Sequence, residues 1–178
     1  MTEQPKPTLA LVGSDDADPE VGRWLAALHD TRQRMREVLT GLPDDLLDAV
    51  PPAGGSTIGA LLYHIAIVEA DWLFDEILGT IQTDWPTDLF PAEMREDGTT
   101  LSGFSGETLV QHRDRLRKTR AMLVETVSAM SAEDLHRVNE RQHYDVSTAW
   151  VLHHLMQHEA EHRSQIGHVR ELLGAGQT

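Results

Sequence analysis

Apolar positions recur every three or four residues in four long stretches, and no stretch alternates convincingly between apolar and polar residues. The first stripe is Val21, Trp24, Leu25, Leu28, Met35, Val38 and Leu39; it predicts a helix from about Pro19 or Glu20 that Gly41 stops. One or two short turns are expected within 44–50, then a loop through Pro51, Pro52, Gly54 and Gly55. Ser56 or Thr57 caps a second helix over 57–78, which buries Leu61, Ile65, Val68, Trp72 and Ile77 and ends at Gly79. The connection 80–104 is too long for a tight hairpin and reads as a covering or functional loop, with Phe90, Met94, Leu101 and Phe104 placed to pin it down. The third helix is predicted from a Ser105 cap to about Met130. Leu109, Leu116, Met122, Leu123, Val127 and Met130 face inward, and Arg113, Arg115, Arg117, Lys118 and Arg120 form a solvated basic face. Ser131 to Asp134 reads as a capping box for a short helix, 139–147 as a polar loop, and Ser147 or Thr148 as the start of the last long helix.

Four amphipathic helices without a sheet predict an all-α fold, an antiparallel four-helix bundle with a long connection between helices 2 and 3. The bundle is assigned to 19–175. Residues 1–18 are assigned to a flexible tail, docked if at all through Leu9, Leu11 and Val12.

The last helix carries the chemistry. Trp150 to Leu173 holds five of the ten histidines, and its stripe of Val151, Leu155, Ile166, Val169 and Leu173 is completed by His158 and His162. Those two lie one turn apart on one face, where core residues belong, and a metal explains them more economically than a buried pair of satisfied histidines does. The best third ligand is His64, the lone histidine of helix 2, beside Leu61 and Val68 at the edge of the buried stripe. Three neutral imidazoles leave a divalent ion with open positions. His154 extends the row by one turn and is expected to line the pocket. His153 and His168 point off the stripe, and His29, His112, His136 and His143 have no evident partner. Trp72 and Trp150 are expected in the core, and Glu69 in a solvated or capping role as readily as a functional one.

Two rival patterns share this helix. His158-Glu159-Ala160-Glu161-His162 is a literal H-E-x-x-H, with His168 at the spacing of a third zinc-protease ligand, but Gln165 stands where that motif needs glycine, and no sheet is predicted to hold a peptide. Glu159 and His162 match a di-iron E-x-x-H element, yet helix 2 offers only Glu69 and Glu76 as partners. Glu159 remains a candidate to orient a histidine, act as a base or contact a cofactor, although its helical position tilts it off the stripe.

Composition narrows the rest. A net charge of -14 disfavours nucleic acid, and the absence of cysteine excludes disulfides and thiolate ligands. No apolar run reaches the ~20 residues of a membrane span and no signal-peptide core is evident, so a soluble, cytoplasmic protein is expected.

The stretches STIGALLYHIAIVEADWLF and WVLHHLMQHEAEHRSQIGHVRELLG, with the approach GLPDDLLDAVPPAGGST, resemble the DinB-like (DinB/YfiT) metalloenzymes over roughly residues 20–175. The same group includes the mycothiol-dependent maleylpyruvate isomerase N-terminal domain and the bacillithiol transferases. The resemblance implies a four-helix bundle with a divalent metal on three histidines, which map onto His64, His158 and His162. It also implies activation of a low-molecular-weight thiol for transfer or isomerisation, and homodimers. The expectation is a metal-dependent thiol S-transferase or thiol-dependent isomerase that takes a thiol and an electrophile. Zinc is the first choice of metal, with nickel or iron next, and His154 and Glu159 are expected near the cosubstrate. A non-enzymatic metal- or ligand-binding stress protein and a metal-dependent hydrolase are the alternatives.

Overall fold

The computed structural model describes residues 9–13, 17–80, 84–95, 101–141 and 143–175. Helix α1, Pro19–Val38, opens where Asp18 accepts from the Glu20 amide at 2.8 Å, with proline in the first turn where its missing N–H costs nothing. Helix α2, Ile58–Asp71, is capped by Thr57, whose hydroxyl accepts from the Ala60 amide. It runs directly into a π-helical turn, Trp72–Ile77. Helix α3 is Leu109–Ser128 and helix α4 is Ala132–His136. Strands β1, Val138–Glu140, and β2, Asp145–Ser147, pair antiparallel with Asn139 opposite Val146, and helix α5 is Thr148–Ala175.

The molecule is mostly helical. Helix α1 packs against α3 and α5, and α2 packs against the same two. Every residue of α2 from Ile58 to Ala70 is buried. A helix apolar all round must be covered all round. The connection between α2 and α3 supplies the fourth side: Phe90 is buried, and Met94, Leu101 and Phe104 pack on the core as expected. The Tyr63 hydroxyl donates to the Ala92 carbonyl at 2.5 Å, and its ring stacks on Phe104 at 4.2 Å. Gly59 allows the turn after α1 to close in, since a Cβ there would meet Asp48, the Leu47 carbonyl and His112 at 3.1 to 3.3 Å.

Four expectations change. Helix α3 starts at Leu109, not after Ser105, because Gly106 sits at φ 87° and Thr108 with Gln111 completes a reciprocal capping box. The polar stretch 139–147 contains a hairpin, whose strands of three residues are too short to show a period of two. The basic face of α3 is not uniformly solvated. Arg115 is buried in a bidentate pair with Glu107, and Arg120 is turned into the core. Leu9 and Val12 are exposed, so they dock nothing; residues 1–8 and 14–16 of the expected tail lie outside the described residues.

Candidate metal centre

His64 comes from the middle of buried α2, and His158 and His162 from successive turns of α5, which packs on it. Their Nε2 atoms converge: His158 Nε2 lies 3.1 Å from His64 Nε2 and 3.1 Å from His162 Nε2. Each of the three residues offers one nitrogen, and all three nitrogens fall within 4.8 Å of one another. Two imidazole nitrogens on one tetrahedral zinc, with bonds of about 2.05 Å, would sit about 3.3 Å apart.

The proton inventory points the same way. Burial, then the neighbouring His162 and Arg95, lowers the His64 pKa to about 4. Burial, then His162, His64 and His154, lowers that of His158 to about 3. Both are therefore neutral at physiological pH and present lone pairs. His162 Nδ1 faces the Gln165 side-chain oxygen at 2.8 Å; that oxygen can only accept, so Nδ1 donates to it and Nε2 is the nitrogen turned to the other two rings. His64 Nδ1 is buried with no hydrogen-bond partner. Three imidazole nitrogens facing one point, two of them on neutral rings, are better satisfied by a shared cation than by one another. The residues fit a divalent metal.

The trio opens on a pocket of about 470 Å³ lined also by Trp72, Met94, Arg95, His154 and Gln165. His154 stacks on Trp150 at 5.3 Å and 6°, and lies 4.5 Å from the Trp72 ring. Trp72 thus borders the site, and Trp150 is half exposed rather than in the core. His29, His143, His153 and His168 are exposed. His136 pairs with Glu20 at 2.7 Å. His112 is buried without a hydrogen bond to either ring nitrogen, its Nδ1 3.8 Å from the Glu107 carboxylate.

Glu159 is not beside the trio. It is 1% exposed, and its carboxylate takes Arg32 Nε at 2.5 Å and an Arg120 terminal nitrogen at 2.8 Å. Glu69, which sequence left between solvent and function, is buried in the same cluster, with Arg32 and Arg120 each at 2.8 Å. One residue from each of α1, α2, α3 and α5 builds this network, and its two positive and two negative charges cancel. Arg32 and Arg120 also donate to the carbonyls of Leu116 and Leu28. Sequence reasoning missed it, although the signal was there: Leu28, Arg32, Met35 and Leu116, Arg120, Leu123 each place an arginine at a core position. With Glu159 and Glu69 engaged and His168 exposed, the zinc-protease and di-iron patterns lose the side chains they need.

A family model described as the DinB superfamily matches residues 27–166. A conserved protein from Enterococcus faecalis, known from a crystal structure, has TM-score 0.66 and 16% identity over 84% of this chain and 94% of its own. A protein from Streptococcus pneumoniae has TM-score 0.59 and 15% identity over 85% and 91%. At such identities the likeness is one of fold. No curated protein matches the chain.

Proposed function

This chain belongs to the DinB superfamily, and on that premise we propose that it is a divalent-metal-dependent small-molecule enzyme, a thiol S-transferase or thiol-dependent isomerase. The observation that carries the reading is the convergence of three imidazole nitrogens in an open pocket. His64, His158 and His162 would hold the ion, zinc first and nickel or iron next. The chemistry such an ion supplies is a lowered thiol pKa and a thiolate kept in place as nucleophile. The chain has no cysteine, so the thiol belongs to a low-molecular-weight cosubstrate. Gln165 fixes the tautomer of His162, His154 lines the route in, and Trp72 shields one wall from water. Glu159 serves the site indirectly, by anchoring α5 beside His158. The same reading takes the long helices as an antiparallel four-helix bundle, and the protein as a cytoplasmic homodimer.

Elemental analysis tests the site. Wild-type protein should carry about one ion per chain, and His64→Ala and His162→Ala should carry little; unchanged stoichiometry in both variants overturns the assignment. Turnover of a generic electrophile with a panel of small thiols tests the chemistry. The non-enzymatic alternative predicts a sealed trio, and an open pocket of about 470 Å³ argues against it. The hydrolase alternative needs a carboxylate near bound water, and among the described residues no carboxylate joins the histidines.

A further inference from the structure

The hairpin has a definite task. It is fastened to the π turn of α2 through Glu76, whose carbonyl accepts from Arg141 at 2.6 Å and from Asn139 at 3.5 Å and whose carboxylate accepts the Tyr144 hydroxyl. A π turn widens the helix and shifts the residues that follow it, and such turns favour functional sites. Here the clasp sets Tyr144 6.4 Å from Trp72, with Trp150 5.4 Å away on its other flank. The result is a cleft of about 540 Å³ lined by these three rings, Val138 and Asp145. Its walls are open: Trp150 is 50% exposed, Tyr144 47% and Val138 59%. A concave, largely apolar cleft of this volume lined by three aromatic rings has the character of a small-molecule binding site.

Two further observations say what binds. First, the cleft is continuous with the histidine site. Trp72 lines both, and along α5 the rings of Trp150, His154 and His158 follow one another at 5.3 and 5.9 Å. Eight residues of helix put Trp150 about 12 Å from His158. Secondly, the surrounding charge is predominantly negative, with Arg141, 3.2 Å from the Glu76 carboxylate, offsetting part of it. Asp145 lines the cleft, and Asp71, Asp75 and Glu76 act on Tyr144, whose pKa is pushed up to about 12 chiefly by its hydrogen bond to Glu76. Among the described residues no lysine or arginine lines it.

We propose that the cleft of Trp72, Tyr144 and Trp150 binds a planar, uncharged aromatic group of the substrate, about 12 Å from the histidine trio. The assignment to a substrate rests on reading the trio as a metal centre; the preference for a neutral ring does not. It gives the enzyme an elongated electrophile, reactive at one end and aromatic at the other, and excludes aromatic carboxylates and sulfonates from this end.

Saturation-transfer NMR and calorimetric titration with 2-naphthalenemethanol and its anionic counterpart 2-naphthalenesulfonate test this. The alcohol should bind wild-type protein, the sulfonate at least about tenfold more weakly. Trp150→Ala should weaken alcohol binding about tenfold, a loss within the range of one aromatic contact. Trp150→Phe, which keeps a ring, should retain most of it, and circular dichroism should show both variants folded. His162→Ala should lose metal and still bind the alcohol, which separates failure of the metal assignment from failure of the cleft. Equal affinity for alcohol and sulfonate, or binding indifferent to Trp150→Ala, overturns the proposal. So does a wild-type dimer that ignores both probes and dissociates in Trp150→Ala, since the rings would then cover a second copy of the chain.

Discussion

Replacing Glu69 by leucine removes one acceptor from the buried four-charge cluster and leaves the other three groups in place. Glu69 takes Arg32 at 2.8 Å through Oε2, and Arg120 at 2.8 Å through both oxygens. With it gone, two guanidiniums face Glu159 alone, and the buried sum of charges moves from zero to plus one. Breaking a buried pair from one side costs about 3–5 kcal/mol, because the remaining charge stays desolvated and uncompensated. For a chain of this size about 4 kcal/mol lowers the thermal midpoint by about 12 °C, a large share of the total stability. Adding Arg120→Met restores neutrality by leaving Arg32 and Glu159, 2.5 Å apart, as a closed pair. The double variant should therefore be more stable than Glu69→Leu alone, with a coupling energy of about 2 kcal/mol or more.

Urea titrations of metal-free protein at pH 7, followed by circular dichroism, measure this if the slopes agree. Burial raises the Glu69 pKa, but Arg120 and Arg32 more than reverse it and hold the carboxyl below its ordinary value. Its contribution is present above the unfolded carboxylate pKa and is lost as pH falls through the lower folded one, so the effect of Glu69→Leu should be the same at pH 6 and pH 8. Strict additivity of the single variants, or a loss under 1 kcal/mol, would show that the cluster is hydrated and the argument unsound.

Asp71 behaves in the opposite sense. Burial, then Asp75 and Glu76, raises its pKa to about 6, so the fold is favoured while it is protonated and loses that support as pH rises through 6. Asp71→Asn should raise the thermal midpoint at pH 7 by an amount that vanishes below about pH 4, as read by calorimetry at both pH values. Arg115 holds the covering connection: it donates to the Leu89 carbonyl at 2.7 Å and lies 5.0 Å from the Tyr63 ring and 5.1 Å from that of Phe104. Arg115→Lys keeps the charge but loses the fork to Glu107, and limited proteolysis should cut within 80–104 sooner than in wild type. Tyr144→Phe removes the hydroxyl that grips Glu76, and amide exchange should quicken in both hairpin strands while the global midpoint moves by about 3 °C or less.

The helices were legible because their stripes are long and their stops are chemical: Pro19 and Gly41, Thr57 and Gly79, and the Ser131 box all sit where helices begin or end. The trio was legible for a related reason. His158 and His162 fall on the apolar spacing of α5, although both are half-buried and line the pocket, and His64 is the single histidine on the helix they face. What periodicity could not convey was the sign of a partner. Arg32 and Arg120 sit in a core register, while Glu69 and Glu159 read as off the stripe; whether a buried arginine meets a glutamate depends on which helices are neighbours, a property of the assembled fold. The aromatic cleft was hidden more deeply still, since it depends on a π turn that shifts Trp72 and on strands too short to announce themselves.

The network and the trio occupy different faces of the same two helices. Glu69 follows His64 by five residues, about 140° round α2, and Glu159 follows His158 by one, about 100° round α5. Buried ion pairs seldom stabilise a core beyond what apolar residues would, so the cluster needs another justification, and α5 supplies one. Its pocket face repeats at intervals of four, Trp150, His154, His158, His162, and a slip of one turn, about 5.4 Å, would put His154 and His158 where His158 and His162 stand, or in the other direction His162 and Ile166. Packing alone distinguishes such registers poorly. The charge on the adjoining face does not: a slip in one direction sets Arg163 against Arg32 and Arg120, and a slip in the other sets Leu155 there, which leaves both guanidiniums short of an acceptor. Glu159 is thus the residue that makes one register of α5 compatible with the core, and so the one that decides which two histidines meet His64.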